Sequence, residues 1–215
     1  MKKVALFVSI MMFTITGFAQ NSDKAKSLLD EVYNKVKSYD NIYVDFKYVL
    51  ENTKENIHQE TRGNVTIAGD KYLFNYLGAT KMFDGKKVYT VIPENEEVVI
   101  EDKDAEEEGT ITPSKMLTFY RDGYRYAWDV AKNVKGRQIQ FIKLTPIDSN
   151  AETRQILLGI DAQTKHIYNL IETGKNGTQT TITVNSFKTN QPLSKSLFTF
   201  NESKYEDDGY YIIKN

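Results

Sequence analysis

The chain has 215 residues, with 28 Lys and Arg against 29 Asp and Glu, no Cys, two His, 14 Tyr, 11 Phe and a single Trp. A net charge of −1 argues against a binder that depends on a nucleic-acid phosphate backbone. The lack of Cys excludes disulfides, thiol catalysis and thiolate metal sites, so stability rests on the core.

The first twenty residues, MKKVALFVSIMMFTITGFAQ, have the three parts of a secretory leader. Lys2 and Lys3 give a positive start, Val4 to Thr16 is almost wholly apolar, and Gly17-Phe18-Ala19 places small residues at a cleavage site after Ala19. The apolar run is shorter than the ~20 residues of a spanning helix and ends in Gln20-Asn21-Ser22 rather than a basic flank. No Cys follows it, so no lipid anchor is expected. The expected mature chain is one periplasmic domain over 20–215, a monomer whose net charge is about −3 once Lys2 and Lys3 have left.

Asn21 or Ser22 can cap a helix from Asp23 to about Tyr39. Ala25, Leu28, Leu29, Val32, Val36 and Tyr39 follow the helical stripe, and Lys24, Lys26, Asp30, Glu31, Lys35 and Lys37 take the other face. The period then changes from 3.6 to 2. Val44, Phe46, Tyr48 and Leu50 alternate with Asp45, Lys47 and Val49. Further strands are expected over 59–68, 71–77, 81–83, 87–92 and 97–102, with turns at Gly69-Asp70 and Asp84-Gly85. Short links imply an antiparallel meander.

Glu101–Glu108 is an acidic run without the ligand spacing of a calcium loop, and reads as a solvated loop. Thr112 and Pro113 can start a short helix from Ser114 to Tyr120. Strands resume over 124–130, 137–146, 153–160, 166–172 and 178–187, and the tail around 192–200 is a turn and a final apolar piece. Ten or eleven strands reach the size at which an open twisted sheet must curl, split or close.

Catalytic signals are absent. His58 and His166 are isolated, GxSxG is missing, and no phosphate cradle occurs. The expectation is no catalytic residue, no metal and no cofactor. Phe46, Tyr48, Leu50, Phe74, Tyr76, Met82, Tyr89 and Val91 are candidates for one apolar face, either as plain core or as the lining of an open cavity.

The order of elements resembles the periplasmic outer-membrane lipoprotein carriers, the LolA family. The resemblance covers the mature chain and rests on five stretches: SYDNIYVDFKY after the first helix, GNVTIAGDKYLFNY, MFDGKKVYTVIPENEEV, ITPSKMLTFY and NQPLSKSLFTFNESKY. It implies a mainly β fold, a strongly curved antiparallel sheet or incomplete barrel with the N-terminal and mid-chain helices as a lid. It also implies a function, carrying lipoprotein acyl chains from an inner-membrane ABC transporter to the outer membrane, where some members meet an acceptor. Burying one chain of ~14 methylenes is worth roughly 11 kcal/mol, so crossing water calls for an apolar container.

By the same resemblance Phe74 and Tyr76 line the cavity. Leu28, Leu29, Val32, Val36, Met116, Leu117 and Phe119 form the lid. Some members have an Arg before the aromatic strand that ties the lid. Asp70 stands there in this chain beside Lys71, so Lys71, Arg62 or an apolar contact would take its place. Two alternatives are a sensor of lipid or mislocalised lipoprotein with the same fold, and an envelope hydrolase or non-lipid ligand binder, of which the catalytic form would need a polar cluster in the cavity.

Overall fold

The computed structural model describes residues 21–102, 113 and 115–215. The leader, most of the acidic run, the expected cap Thr112 and the expected helix start Ser114 lie outside the described residues. Helix α1 covers 21–37, so Asn21 and Ser22 are already helical. Twelve strands follow: β1 (Ile42–Asn52), β2 (Ile57–Ala68), β3 (Lys71–Tyr76), β4 (Ala79–Phe83), β5 (Lys87–Ile92), β6 (Glu97–Asp102), β7 (Tyr124–Val134), β8 (Arg137–Pro146), β9 (Thr153–Asp161), β10 (Ile167–Gly174), β11 (Gln179–Thr189) and β12 (Tyr211–Lys214). A short helix α2 (Glu202–Asp207) precedes β12.

All strands join one curved, unclosed sheet in the order β12-β6-β5-β4-β3-β2-β1-β11-β10-β9-β8-β7. The pairs are antiparallel except β12, which runs parallel to β6. That strand and α2 go beyond what the sequence predicts. The expected helix over 114–120 is instead two 3-10 turns, Lys115–Leu117 and Phe119–Arg121, separated by Thr118 at φ −136°.

Cross-strand partners share a face, and the face that carries α1 is the inner one. Its apolar stripe seats Ala25, Leu28, Leu29 and Val32 on Ile142, Leu144, Ile156, Leu158 and Ile160. A second inner cluster joins Ile42, Val44 and Phe46 of β1 to Val65, Ile67, Tyr72 and Phe83, and Val36, Tyr39 and Leu117 pack against it. The sheet bends at a bulge where Asn185 is the extra residue of β11, and its amide bonds Asp45 Oδ1 at 2.9 Å.

The link between α1 and β1 is clasped to the start of the tail: Asn190 N donates to Asn41 O and Gln191 N to Asn41 Oδ1, both at 2.9 Å. On the outer face, Val91, Val98 and Ile100 form a third cluster covered by Phe200, Tyr205, Tyr210 and Ile212 from the tail. The tail thus completes a small core that β5 and β6 could not close alone.

Candidate functional site

On β1, β2 and β3 the register sets Phe46 opposite Gly63, Tyr48 opposite Thr61, and Tyr76 opposite Gly63 on the far side. Phe46, Tyr48, Phe74 and Tyr76 therefore share the inner face. Ring centroids lie 6.1 Å apart for Phe46–Phe74, 5.8 Å for Phe74–Tyr76 and 5.5 Å for Tyr48–Tyr76. Phe46 is buried, whereas the other three are half-buried. Val184 and Ile182 of β11 stand opposite Phe46 and Tyr48, and Leu117 of the first 3-10 turn packs against the same buried cluster that holds Phe46. Burial, then the neighbouring Tyr48, pushes the Tyr76 hydroxyl up to about 12, so it stays neutral in an apolar setting. Half-buried Leu50 lies further along β1, opposite Gln59 and Thr180.

The other three expected cavity residues lie on the outer face. Met82 pairs with Leu73 and with Tyr89, and Val91 pairs with Thr80 and Val98. The cause is a one-residue offset in strand parity, which turns every side chain over. Tyr76 and Ala79 flank a two-residue turn, Leu77-Gly78, with φ 51° and 77°, and this puts Lys81 and Phe83, not Met82, on the inner side. Tyr89 stacks on Phe200 at 4.4 Å and donates to Asp84 Oδ2 at 3.0 Å. Its hydroxyl is pushed up to about 12 by burial and then by that bond.

Of the expected lid residues, Leu28, Leu29 and Val32 pack on β8 and β9 beside the quartet rather than on it. Val36 touches both inner clusters, Leu117 packs against the second, and Phe119 packs edge-on against Tyr124. Met116 is half-buried. The latch candidates do not reach the helix. Asp70 and Lys71 are exposed at the β2–β3 turn, and Arg62 pairs with Lys47 on the outer face.

Other groups tie the helix. The Tyr39 hydroxyl lies 2.8 Å from His166 Nε2, whose ring stacks on Phe187 at 4.1 Å. Lys165 Nζ meets Glu31 Oε2 at 2.9 Å, and the Arg121 guanidinium covers Tyr33 at 3.8 Å. Tyr126 donates to the carbonyls of Tyr120 and Arg121 at 2.8 and 2.9 Å, fixing the second 3-10 turn to β7. These ties leave no local signal in the sequence: Tyr39 and His166, for example, lie 127 residues apart. Among the described residues no three His, Asp or Glu side chains converge as metal ligands.

A family model described as outer membrane lipoprotein carrier protein LolA matches residues 37–201. The chain belongs to the LolA family. The match ends at 201, so α2 and β12 of this LolA-family chain lie beyond it. Two solved structures share the fold. An uncharacterized conserved protein from Thermus thermophilus is 10% identical with a TM-score of 0.57, and the match covers 89% of this chain and 99% of that one. LprF from Mycobacterium bovis is 11% identical with a TM-score of 0.51, covering 81% and 96%. A search of curated protein sequences finds no match. The family description is that of a carrier rather than an enzyme. No helix among the described residues is long and apolar enough to cross a membrane.

Proposed function

We propose that this protein is a periplasmic carrier that takes the acyl chains of lipoproteins against the inner face of its sheet and moves them from the inner to the outer membrane. The leader over 1–19 would be removed, leaving one domain over 20–215. An inner-membrane ABC transporter would load it, and an outer-membrane acceptor would receive the cargo. The observation that carries this reading is the aromatic quartet. Three of its four rings are half-buried, on the inner face of a sheet whose main helical cover lies elsewhere. Apolar area left partly in water is area that a ligand can still desolvate, at roughly 25 cal/mol per Å².

The chemistry suits a shuttle. Tyr48, Phe74 and Tyr76 offer broad apolar contact without a charge, so they hold a methylene chain without selecting its headgroup. Release requires that the quartet bind less well than a bilayer, and its partial exposure is consistent with that. Leu117 packs against the second inner cluster from a 3-10 turn of three residues, an element with few internal bonds to break. The test is native mass spectrometry on protein purified from the envelope compartment. The expected spectrum contains an adduct of an acylated lipoprotein or diacyl lipid, lost in Phe74→Glu. A spectrum free of any acyl adduct, before and after incubation with lipoprotein in detergent micelles, would count against the proposal.

A further inference from the structure

Away from the quartet, on the β7–β9 side of the sheet, a pocket of about 570 Å³ opens beside α1. Leu28 and Trp128 form its apolar wall, and Gln138, Gln140 and Gln163 bring three primary amides from β8 and the β9–β10 turn. It shares no residue with the quartet.

Trp128 is inner-facing on β7, opposite Ile142. The Lys24 ammonium lies 4.0 Å above the ring centroid, so one indole face is reached by a long, exposed side chain from α1 rather than sealed by core. Gln140 is 7% exposed, yet polar. Its amide nitrogen donates to Asp129 O at 2.6 Å and Phe141 O at 2.9 Å. Both amide hydrogens are spent on the backbone, which fixes the group and leaves its carbonyl oxygen as an acceptor. Gln163 sits on a preformed turn, because Asp161 Oδ1 accepts from Gln163 N and Thr164 N at 3.0 Å each.

The three charged side chains that line this pocket, Arg137, Asp161 and Lys165, are already paired. Arg137 Nη1 is 3.8 Å from Asp161 Oδ2, and Lys165 Nζ is 2.9 Å from Glu31 Oε2. An ion bound among these lining residues would have to break one of the pairs, whereas the Lys24 ammonium over Trp128 offers an anion a charge, so inorganic phosphate is the necessary control. What the pocket offers instead is planar amides, which both donate and accept, next to an aromatic face. That combination fits a ligand with vicinal hydroxyls on its edge and an apolar C–H face.

We infer that this pocket binds a neutral saccharide, with one pyranose ring laid on Trp128 in place of Lys24 and its hydroxyls on Gln138, Gln140 and Gln163. Trp128 is the single Trp of the chain, so intrinsic tryptophan fluorescence reports on this pocket alone. The experiment titrates the full mature chain with tetra-N-acetylchitotetraose, maltotetraose, choline and inorganic phosphate. The inference expects a saturable fluorescence change with at least one of the two sugars, in the micromolar to millimolar range. It also expects about a tenfold weaker response in the Gln138→Ala, Gln163→Ala double variant, whose altered side chains are exposed and leave folding intact. The response should persist in Phe74→Glu, which separates it from acyl binding. Three outcomes would overturn it: no saturable change with either sugar, a response to choline or phosphate alone, or a sugar response unchanged in the double variant.

Discussion

The ring of Phe46 lies against the bare backbone of Gly63: a Cβ built there would stand 2.5 Å from Phe46 Cζ and 2.7 Å from the Asn75 carbonyl oxygen. The ring can tilt, but the carbonyl belongs to the β2–β3 ladder and cannot. Gly63→Ala is therefore expected to lower stability by about 1–3 kcal/mol through overpacking. Urea denaturation monitored by circular dichroism measures it. Because Phe46 anchors the quartet, the same variant should weaken acyl-probe binding.

Phe74→Glu places a carboxylate among half-buried rings on the inner face. Burying an unpaired charge beside a methylene chain is expensive, so uptake of a fluorescent fatty-acyl probe should fall to background while the circular dichroism spectrum is kept. Leu77→Glu is the control. Leu77 is 70% exposed on the β3–β4 turn, and its substitution should leave uptake unchanged.

His166 gives a pH dependence with a definite sign. Burial, then the Lys35 charge, holds its imidazole below the ordinary value of 6.5, against an upward pull from Asp161. The native state thus prefers the neutral ring, and the unfolded chain takes the proton first as pH falls. This contribution is fully present above about pH 6.5 and is lost as pH drops toward the lower native value. Urea midpoints at pH 7.5 and pH 5.5 should differ more for the natural chain than for His166→Gln.

Phe200 stacks between Tyr89 and Tyr205, at 4.4 and 5.1 Å. Phe200→Ala should cost about 2 kcal/mol, below the 3–5 of a fully buried ring because it is half-buried. Since it acts on the outer face, acyl-probe uptake should be kept per folded molecule. A loss of uptake would mean that the two faces are coupled.

Much of this fold is legible in the sequence because alternation is a strong signal. Val44, Phe46, Tyr48 and Leu50 read as one face of a strand, and the register of β1 puts them on one face. The side taken by Met82, Tyr89 and Val91 is not legible. It depends on the Leu77-Gly78 turn, where Leu takes a positive φ that its side chain disfavours. Nothing in the sequence marks that Leu as a turn residue, and a parity error there carries through β4 and β5. The four residues of β12 are too few to show a period, and their parallel partner lies more than a hundred positions away. The Tyr39–His166 tie likewise exists only through the fold, since neither residue has a local motif.

A release assay tests lipoprotein carriage most directly. Inner-membrane vesicles carrying a radiolabelled lipoprotein and its ABC transporter are incubated with ATP and the mature chain, and the supernatant is examined by gel filtration. Soluble lipoprotein is expected to co-elute with the natural chain and not with Phe74→Glu. Lipoprotein that stays in the membrane with the natural chain would contradict it.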